Sequence, residues 1–236
     1  MRDLIDVPII TFDGPSGTGK GTICHQLALF LGWHFLDSGA IYRVLAYAAR
    51  QKNIALDDVR ALAILGSALD LSFQAQSMNE TLVVFEGNDI SRLIRLEQCG
   101  QDASVIAQFL SVRQALLARQ RAFAKAPGLV ADGRDMGTVV FPEAQLKIYL
   151  FASAEERAMR RYLQLKRKHI NATLAQVVNE LSERDCRDAS RSHAPLKPAD
   201  DSVFIDTTGL SIEQVMGEVR PWILDRFGIE VTPGGS

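Results

Sequence analysis

The stretch Gly14-Pro15-Ser16-Gly17-Thr18-Gly19-Lys20 constrains this chain more than any other. It follows a short, apolar, partly β-branched run from Val7 to Asp13. A helical pattern of apolar residues comes after it, at Ile23, Leu27, Phe30 and Leu31, and stops at Gly32. The run reads as a buried parallel strand and Gly32 as the C-cap of a helix. A strand, a Gly-x-x-x-x-Gly-Lys loop and a helix in that order form a phosphate-binding loop. The glycines let backbone N–H groups turn inward around phosphate oxygens. The helix N-terminus adds partial positive charge, and Lys20 adds a full one. A glycine-rich turn without a ligand would not require all three parts in register.

Two departures narrow the class. The slot after Lys20, where many such loops place a Mg²⁺-ligating hydroxyl, holds Gly21, and Thr22 comes one residue later. The dinucleotide pattern G-x-G-x-x-G fails at Thr22, which disfavours a Rossmann dehydrogenase. No Asn-Lys-x-Asp is present, so Asp206-Thr207-Thr208-Gly209 reads as a strand end and turn rather than a GTPase switch. The 236 residues suit one large domain, or one domain with an insertion, at roughly 100–200 residues per domain. That is too little chain for a large mechanical ATPase and leaves a small-molecule kinase.

The rest of the chain repeats the strand–helix alternation. Trp33 to Leu36 reads as a second strand and Ala40 to Arg50 as a second helix. Further strands are expected at Leu129–Ala131, Leu146–Phe151 and Val203–Ile205, and helices at Val112–Lys125, Ala154–Lys168, Leu174–Ala189 and Ser211–Phe227. This predicts an α/β fold with a parallel sheet. Between Asp57 and Gln101 the rhythm breaks. Leu71-Ser72-Phe73 and Thr81 to Phe85, bounded by turn residues at Met78-Asn79-Glu80 and Glu86 to Asp89, predict a small antiparallel insertion. The tail Thr232–Ser236 is expected to be disordered.

Composition excludes several classes. With 47% hydrophobic and 23% charged residues the chain is globular, and a net charge of −2 argues against a broad nucleic-acid surface. No apolar run approaches the roughly 18 residues of a membrane span, and Met1 to Asp6 lack the basic start of a signal peptide. Cys24, Cys99 and Cys186 are odd in number and far apart, which predicts no disulfide framework and fits a reduced cytoplasm. His25, His34, His169 and His193 show no metal-ligand spacing, so no protein metal ligand is assigned. Mg²⁺ carried by a nucleotide needs few protein ligands and stays compatible. The near-neutral total hides a gradient. Residues 155–191 hold nine Lys or Arg against six Asp or Glu, while the rest of the chain holds 17 against 22.

Two further clusters sit where ligands collect in open α/β sheets, at the C-terminal ends of strands, and a third lies on helices. The first is Asp37-Ser38-Gly39-Ala40-Ile41-Tyr42-Arg43, in which Asp37 or Ser38 serves either as a helix cap or as a ligand contact. The second is Asp132-Gly133-Arg134-Asp135-Met136-Gly137-Thr138. It is either a turn with a local ion pair, or a site where Arg134 holds a phosphate and Asp135 accepts from a ligand amine. The third is helical: Arg157, Arg160, Arg161 and Lys166–Lys168, then Arg184, Arg187, Asp188 and Arg191 at spacings that share one face. Pairs such as Glu156–Arg160 and Glu183–Arg187 would make part of it a solvated surface.

These arginines suit one problem, holding two phosphorylated molecules together against their mutual repulsion. Arg forks bind phosphate bidentately and keep their charge. A phosphate monoester is mostly dianionic at pH 7, with a second pKa near about 6, so a phosphate acceptor needs no general base. Neither Asp132 nor Asp135 is therefore assigned as a proton acceptor. A hydroxyl acceptor, such as a sugar or shikimate, would need one.

The Gly14–Thr22 loop resembles that of nucleoside monophosphate kinases, in which waters complete the metal shell. Together with Leu36–Arg43, Asp132-Gly133-Arg134-Asp135-Met136-Gly137-Thr138-Val139-Val140-Phe141-Pro142 and Glu183-Arg184-Asp185-x-Arg187-Asp188, in that order, it resembles the bacterial cytidylate kinase family over nearly the whole chain. The resemblance implies transfer of the ATP γ-phosphoryl group to CMP or dCMP with Mg²⁺. It implies a single kinase domain over 1–236, with a three-layer fold on a five-stranded parallel sheet. Its core would span about 1–56 and 106–236, an inserted αβ acceptor-binding region about 57–105, and a short helical lid about 155–170. By position, Ser104, Arg113 and Asp135 would read cytosine, Asp188 and Arg191 would approach the sugar, and Arg43, Arg134 and Arg184 would hold the acceptor phosphate, with Ser38 lining the same site. Gly14, Pro15, Ser16, Gly17, Thr18, Gly19, Lys20, Gly21 and Thr22 would hold ATP, with Arg157 and Arg161 on the lid side. Lys20, Arg134, Arg161 and Arg184 are the residues expected to carry catalysis. A monomer without nucleic-acid or membrane partners is expected. The family often has a Pro shortly before Arg113, and Leu110-Ser111-Val112 stand there instead.

Overall fold

The five strands of the main sheet run parallel in the order β2 (His34–Asp37), β6 (Leu129–Asp132), β1 (Ile9–Asp13), β7 (Leu146–Phe151) and β8 (Val203–Asp206). The computed structural model describes residues 7–77, 80–167 and 169–231. Met1–Asp6, Met78 and Asn79 (expected in a turn), Lys168 and Thr232–Ser236 (expected to be disordered) lie outside them. Central β1 is buried at every position, which is why it reads as a continuous apolar run.

Successive side chains on these strands point to opposite faces, and each face carries its own layer of helices. Ile9, Leu36, Leu129 and Ala131 pack with α2 (Ser38–Gln51) and α5 (Leu110–Arg121). Ile10, Phe12, Val130 and Ile148 pack with α1 (Lys20–Leu31) and α8 (Ile212–Phe227). The result is the expected three-layer α/β arrangement. Burying each of these large apolar side chains contributes about 1.5–3 kcal/mol.

Local chemistry sets the helix ends. Gly32 adopts φ 66° and its N–H bonds Leu29 O, while Trp33 N–H bonds Ala28 O, so α1 closes as the sequence predicts. Because Trp33 completes that cap, β2 starts at His34 rather than Trp33. The Asp37 carboxylate accepts from Ala40 N at 2.9 Å and starts α2 at Ser38, two residues before the expected start. Thr173 with Gln176 and Ser211 with Gln214 form capping boxes that open α7 (Leu174–Ala189) and α8. α5 runs from Leu110 to Arg121, not Val112 to Lys125, because the chain tightens into i→i−3 turns at Phe123 and Ala124.

The insertion contains β3 (Leu71–Ser77) and β4 (Glu80–Phe85) in the expected antiparallel pairing, and Asn88–Asp89, expected in a turn, pairs with β4 as a third short strand, β5. Two helices flank this sheet, α3 (Val59–Ser67) and α4 (Glu97–Ile106). Val83, Phe85, Ile94 and Ala103 join the same apolar cluster as α2. α6 (Ala154–Arg167) packs on α7 through Ala158, Leu165 and Val177.

Candidate active site

The loop between β1 and α1 turns at three glycines with positive φ, Gly14, Gly17 and Gly19. Gly14 takes φ 138° and a Cβ there would collide with the Leu150 carbonyl. Gly17 takes φ 85° and a Cβ would come 2.9 Å from the Arg157 Cβ. Gly19 begins α1 without a side-chain cap, which leaves first-turn N–H groups facing the loop. Lys20 is buried, with its Nζ 2.7 Å from Pro15 O and 3.3 Å from Thr18 Oγ1. Burial and then the Arg134 cation push its proton affinity down, and Asp132 opposes them.

Arg157 braces the loop from α6. It donates to Ser16 O and to Ala152 O, each at 3.2 Å, and pairs with Asp185 of α7. Arg160, one turn along, pairs with Glu156 at 2.8 Å as the i,i+4 spacing suggests. It also donates to Thr207 Oγ1 and to the Thr207 and Leu210 carbonyls, which ties α6 to the turn after β8.

A second pocket opens beside the loop. Of the nine residues expected to bind the acceptor, eight line it: Ser38, Ser104, Arg113, Arg134, Asp135, Arg184, Asp188 and Arg191. Five pieces of chain bring them together, namely α2, α4, α5, the turn after β6, and α7 with the residues just past its end. Arg113 and Asp135 form a buried ion pair. Asp188 receives Arg134 Nε at 3.0 Å and pairs with Arg191 as well. Burial raises the Asp188 carboxyl, but Arg134, Arg191 and Arg184 outweigh that and hold it below the usual range. Arg134 Nη2 reaches Ser16 Oγ at 3.2 Å, so one side chain joins the phosphate loop to this pocket. Ser104 receives Arg187 Nε at 3.3 Å.

Arg43 and Arg161 stand elsewhere. They line an adjoining cleft of about 470 Å³ together with Gly21, Thr22 and Asp37. Arg43 donates to Ile94 O at 2.9 Å, and Arg161 pairs with Glu97. The reason is helical geometry. Ser38 and Tyr42 share one face of α2, and Arg43 is turned away from it.

The three arginines expected to hold the acceptor phosphate crowd one another. Burial, then Arg134 and Arg43, push Arg184 down to about 9. Burial likewise lowers Arg43. Among the described residues neither has a carboxylate partner, and Arg184 Nε is buried without a hydrogen bond. Like charges gathered without an anion make a strong anion site.

Sequence reasoning missed four residues here. Asp13 accepts from Met136 N and Gly137 N, each at 2.8 Å, and so fixes the Arg134–Asp135 turn to the start of the phosphate loop. Gln120 accepts from Ser38 Oγ at 2.8 Å. Tyr42 lines the acceptor pocket, inside a motif whose flanks were recognised. Asp132 lies against the loop, with Oδ2 3.4 Å from where a Gly21 Cβ would sit, and burial raises its carboxyl while Lys20 opposes. No group of three or more His, Cys, Asp or Glu gathers for a metal among the described residues. Asp132, with Asp37 near it, nevertheless offers hard oxygen donors beside the phosphate loop, which fits a nucleotide-borne Mg²⁺ that keeps most of its waters. Among the described residues no helix is long and apolar enough to cross a membrane.

Comparison with known proteins shows what the chain resembles. The family model described as cytidylate kinase matches residues 10–223. A cytidylate kinase of Aeromonas hydrophila is 55% identical over 221 residues, covering 94% of this chain and 96% of that one. One of Stutzerimonas stutzeri is 54% identical over 221 residues, covering 93% and 96%. Among solved structures, the shikimate kinase of Acinetobacter baumannii in complex with shikimate aligns over 96% of this chain and 98% of its own. Its TM-score is 0.41 and its sequence identity 18%.

Proposed function

The chain belongs to the cytidylate kinase family, and on that footing we propose that it transfers the γ-phosphoryl group of ATP to CMP and dCMP, giving CDP and dCDP in pyrimidine nucleotide metabolism. The observation that carries this reading is the crowding of Arg43, Arg134 and Arg184 beside the phosphate loop without enough carboxylates to neutralise them. A dianionic acceptor phosphate relieves that repulsion and supplies its own nucleophile.

The residues divide the work by position. The Gly14–Thr22 loop, with Lys20, holds the ATP phosphates, and Arg157 keeps the loop in shape from the α6 side. Arg113 and Asp135 read the base, where a carboxylate beside a guanidinium offers both an acceptor and a donor edge. Ser104 and Ser38 line the same pocket. Asp188 and Arg191 meet the sugar. Arg134 contacts both the loop and the acceptor side, so it stands where charge spreads during transfer, and Arg184 and Arg161 add positive charge around it. Asp132 and Asp37 are the residues that would hold the waters of an ATP-borne Mg²⁺, which would supply neutralising positive charge beside the phosphate loop. The reaction needs positioning and electrostatics and no general base. The site serves two small nucleotides in a cytoplasmic monomer, without nucleic-acid or membrane partners.

Product analysis tests the reading. Incubation with Mg-ATP and CMP is expected to form CDP and ADP in equal amounts. ADP without CDP would refute it.

A further inference from the structure

Tyr42 is the one neutral side chain lining the acceptor pocket whose hydroxyl is buried without a hydrogen-bond partner among the described residues. The residue is 6% exposed. Its ring packs in the core cluster that includes α2, and the Arg113 guanidinium carbon lies 5.7 Å from the ring centroid. A phenylalanine would fill that space equally well. Buried tyrosine hydroxyls ordinarily find a partner, and an unmade hydrogen bond in a dry site is costly. Burial pushes the Tyr42 phenol up to about 12, so its oxygen keeps the proton throughout the neutral range.

The neighbouring hydroxyl shows what is missing. Ser38, one helical turn earlier on the same face, already donates its only proton to Gln120 Oε1 at 2.8 Å. Ser38 is therefore left with lone pairs to offer, and Tyr42 with a proton. The charged groups nearest Tyr42 are Arg113, Asp135 and Arg191, and the Gln120 side chain lies close to the hydroxyl without making a hydrogen bond of normal geometry to it. The first two are the base-reading pair of the functional reading above, on which this inference rests. A pyrimidine ring presents both complements, an exocyclic amine that donates and a ring carbonyl and ring nitrogen that accept.

We infer that the Tyr42 hydroxyl donates a hydrogen bond to an acceptor atom of the pyrimidine ring of the bound monophosphate, and that it is a specificity-determining contact of this pocket. The ligand supplies the partner that the folded chain lacks.

Tyr42→Phe tests this, because it removes the hydroxyl and keeps the ring under Arg113. The free variant should melt close to the wild-type temperature, since no hydrogen bond of normal geometry is lost. Calorimetric titration in the absence of ATP should give dissociation constants about three- to tenfold weaker for both CMP and dCMP. The ATP constant should be unchanged. An unchanged CMP constant, or a loss seen with CMP but not dCMP, overturns the base contact. A lower melting temperature together with weaker ATP binding also overturns it, because the hydroxyl would then be structural. If the wild-type protein binds no CMP, the functional reading fails and this inference with it. If the wild type binds CMP and the variant binds it equally well, the Tyr42 contact alone fails.

Discussion

Arg134 and Asp188, 54 residues apart in sequence, meet with Nε 3.0 Å from Oδ2, and the same arginine reaches Ser16 of the phosphate loop at 3.2 Å. One guanidinium thus sets the distance between donor loop and acceptor pocket. Asp188 also pairs with Arg191, so it is the shared anion of two buried cations. Asp188→Ala would strand both, and removing one partner of a buried pair costs about 3–5 kcal/mol. Urea unfolding should show a loss of that order. Saturating CMP should recover part of it, because the acceptor phosphate restores negative charge. A variant as stable as the wild type would contradict the role of Asp188 as the common counter-ion.

Lys20 is the full positive charge of the loop. Lys20→Ala should lower kcat by at least about 10²–10³-fold, the usual cost of deleting one preorganised electrostatic group. The circular dichroism spectrum should be preserved. Steady-state rates at saturating ATP and CMP check this, and a loss of less than tenfold would refute its phosphate role.

The conformation of Gly17 is one that side chains rarely adopt, and its neighbour is the Arg157 backbone. Gly17→Ala should strain the loop by about 1–3 kcal/mol and displace Arg157. ATP affinity is expected to fall while CMP affinity, measured without ATP, stays close to wild type. Equal losses for both ligands would mean that the strain spreads beyond the loop.

Burial raises the Asp13 carboxyl from 3.8 to about 7, against the two N–H bonds it accepts from Met136 and Gly137. The folded protein then binds more protons than the unfolded chain between those values, so this contribution to stability is complete below pH 3.8 and is lost as pH rises through about 7. Asp13→Asn removes the titration. It also loses one N–H bond, so it should be less stable than wild type at pH 5. The gap should narrow steadily towards pH 8 in thermal unfolding. A gap that widens with pH would show that the two N–H bonds keep Asp13 ionised.

Much of this site could be read from the residues, because its parts sit at strand ends and follow local rules. The phosphate loop and the turn after β6 are short-range patterns. Eight of the nine residues expected to bind the acceptor line one pocket. Arg43 fell outside it because the turn of α2 separates it from Ser38 and Tyr42. What stayed hidden depends on partners far away in sequence. Gln120 is 82 residues from Ser38, and Asp13 is more than a hundred from the turn it holds. Spacing within one segment carries no trace of such pairings. The helices α3 and α4 were not located either, because the insertion was recognised only by its alternating strands.

The account as a whole rests on a phosphate acceptor that carries cytosine. The most direct measurement is kcat/KM of the wild-type protein, by coupled ADP release, with CMP, dCMP, UMP, AMP and shikimate in turn. The highest values are predicted for CMP and dCMP, with shikimate at background. A strong preference for UMP or AMP over CMP, or turnover of shikimate, would contradict the account.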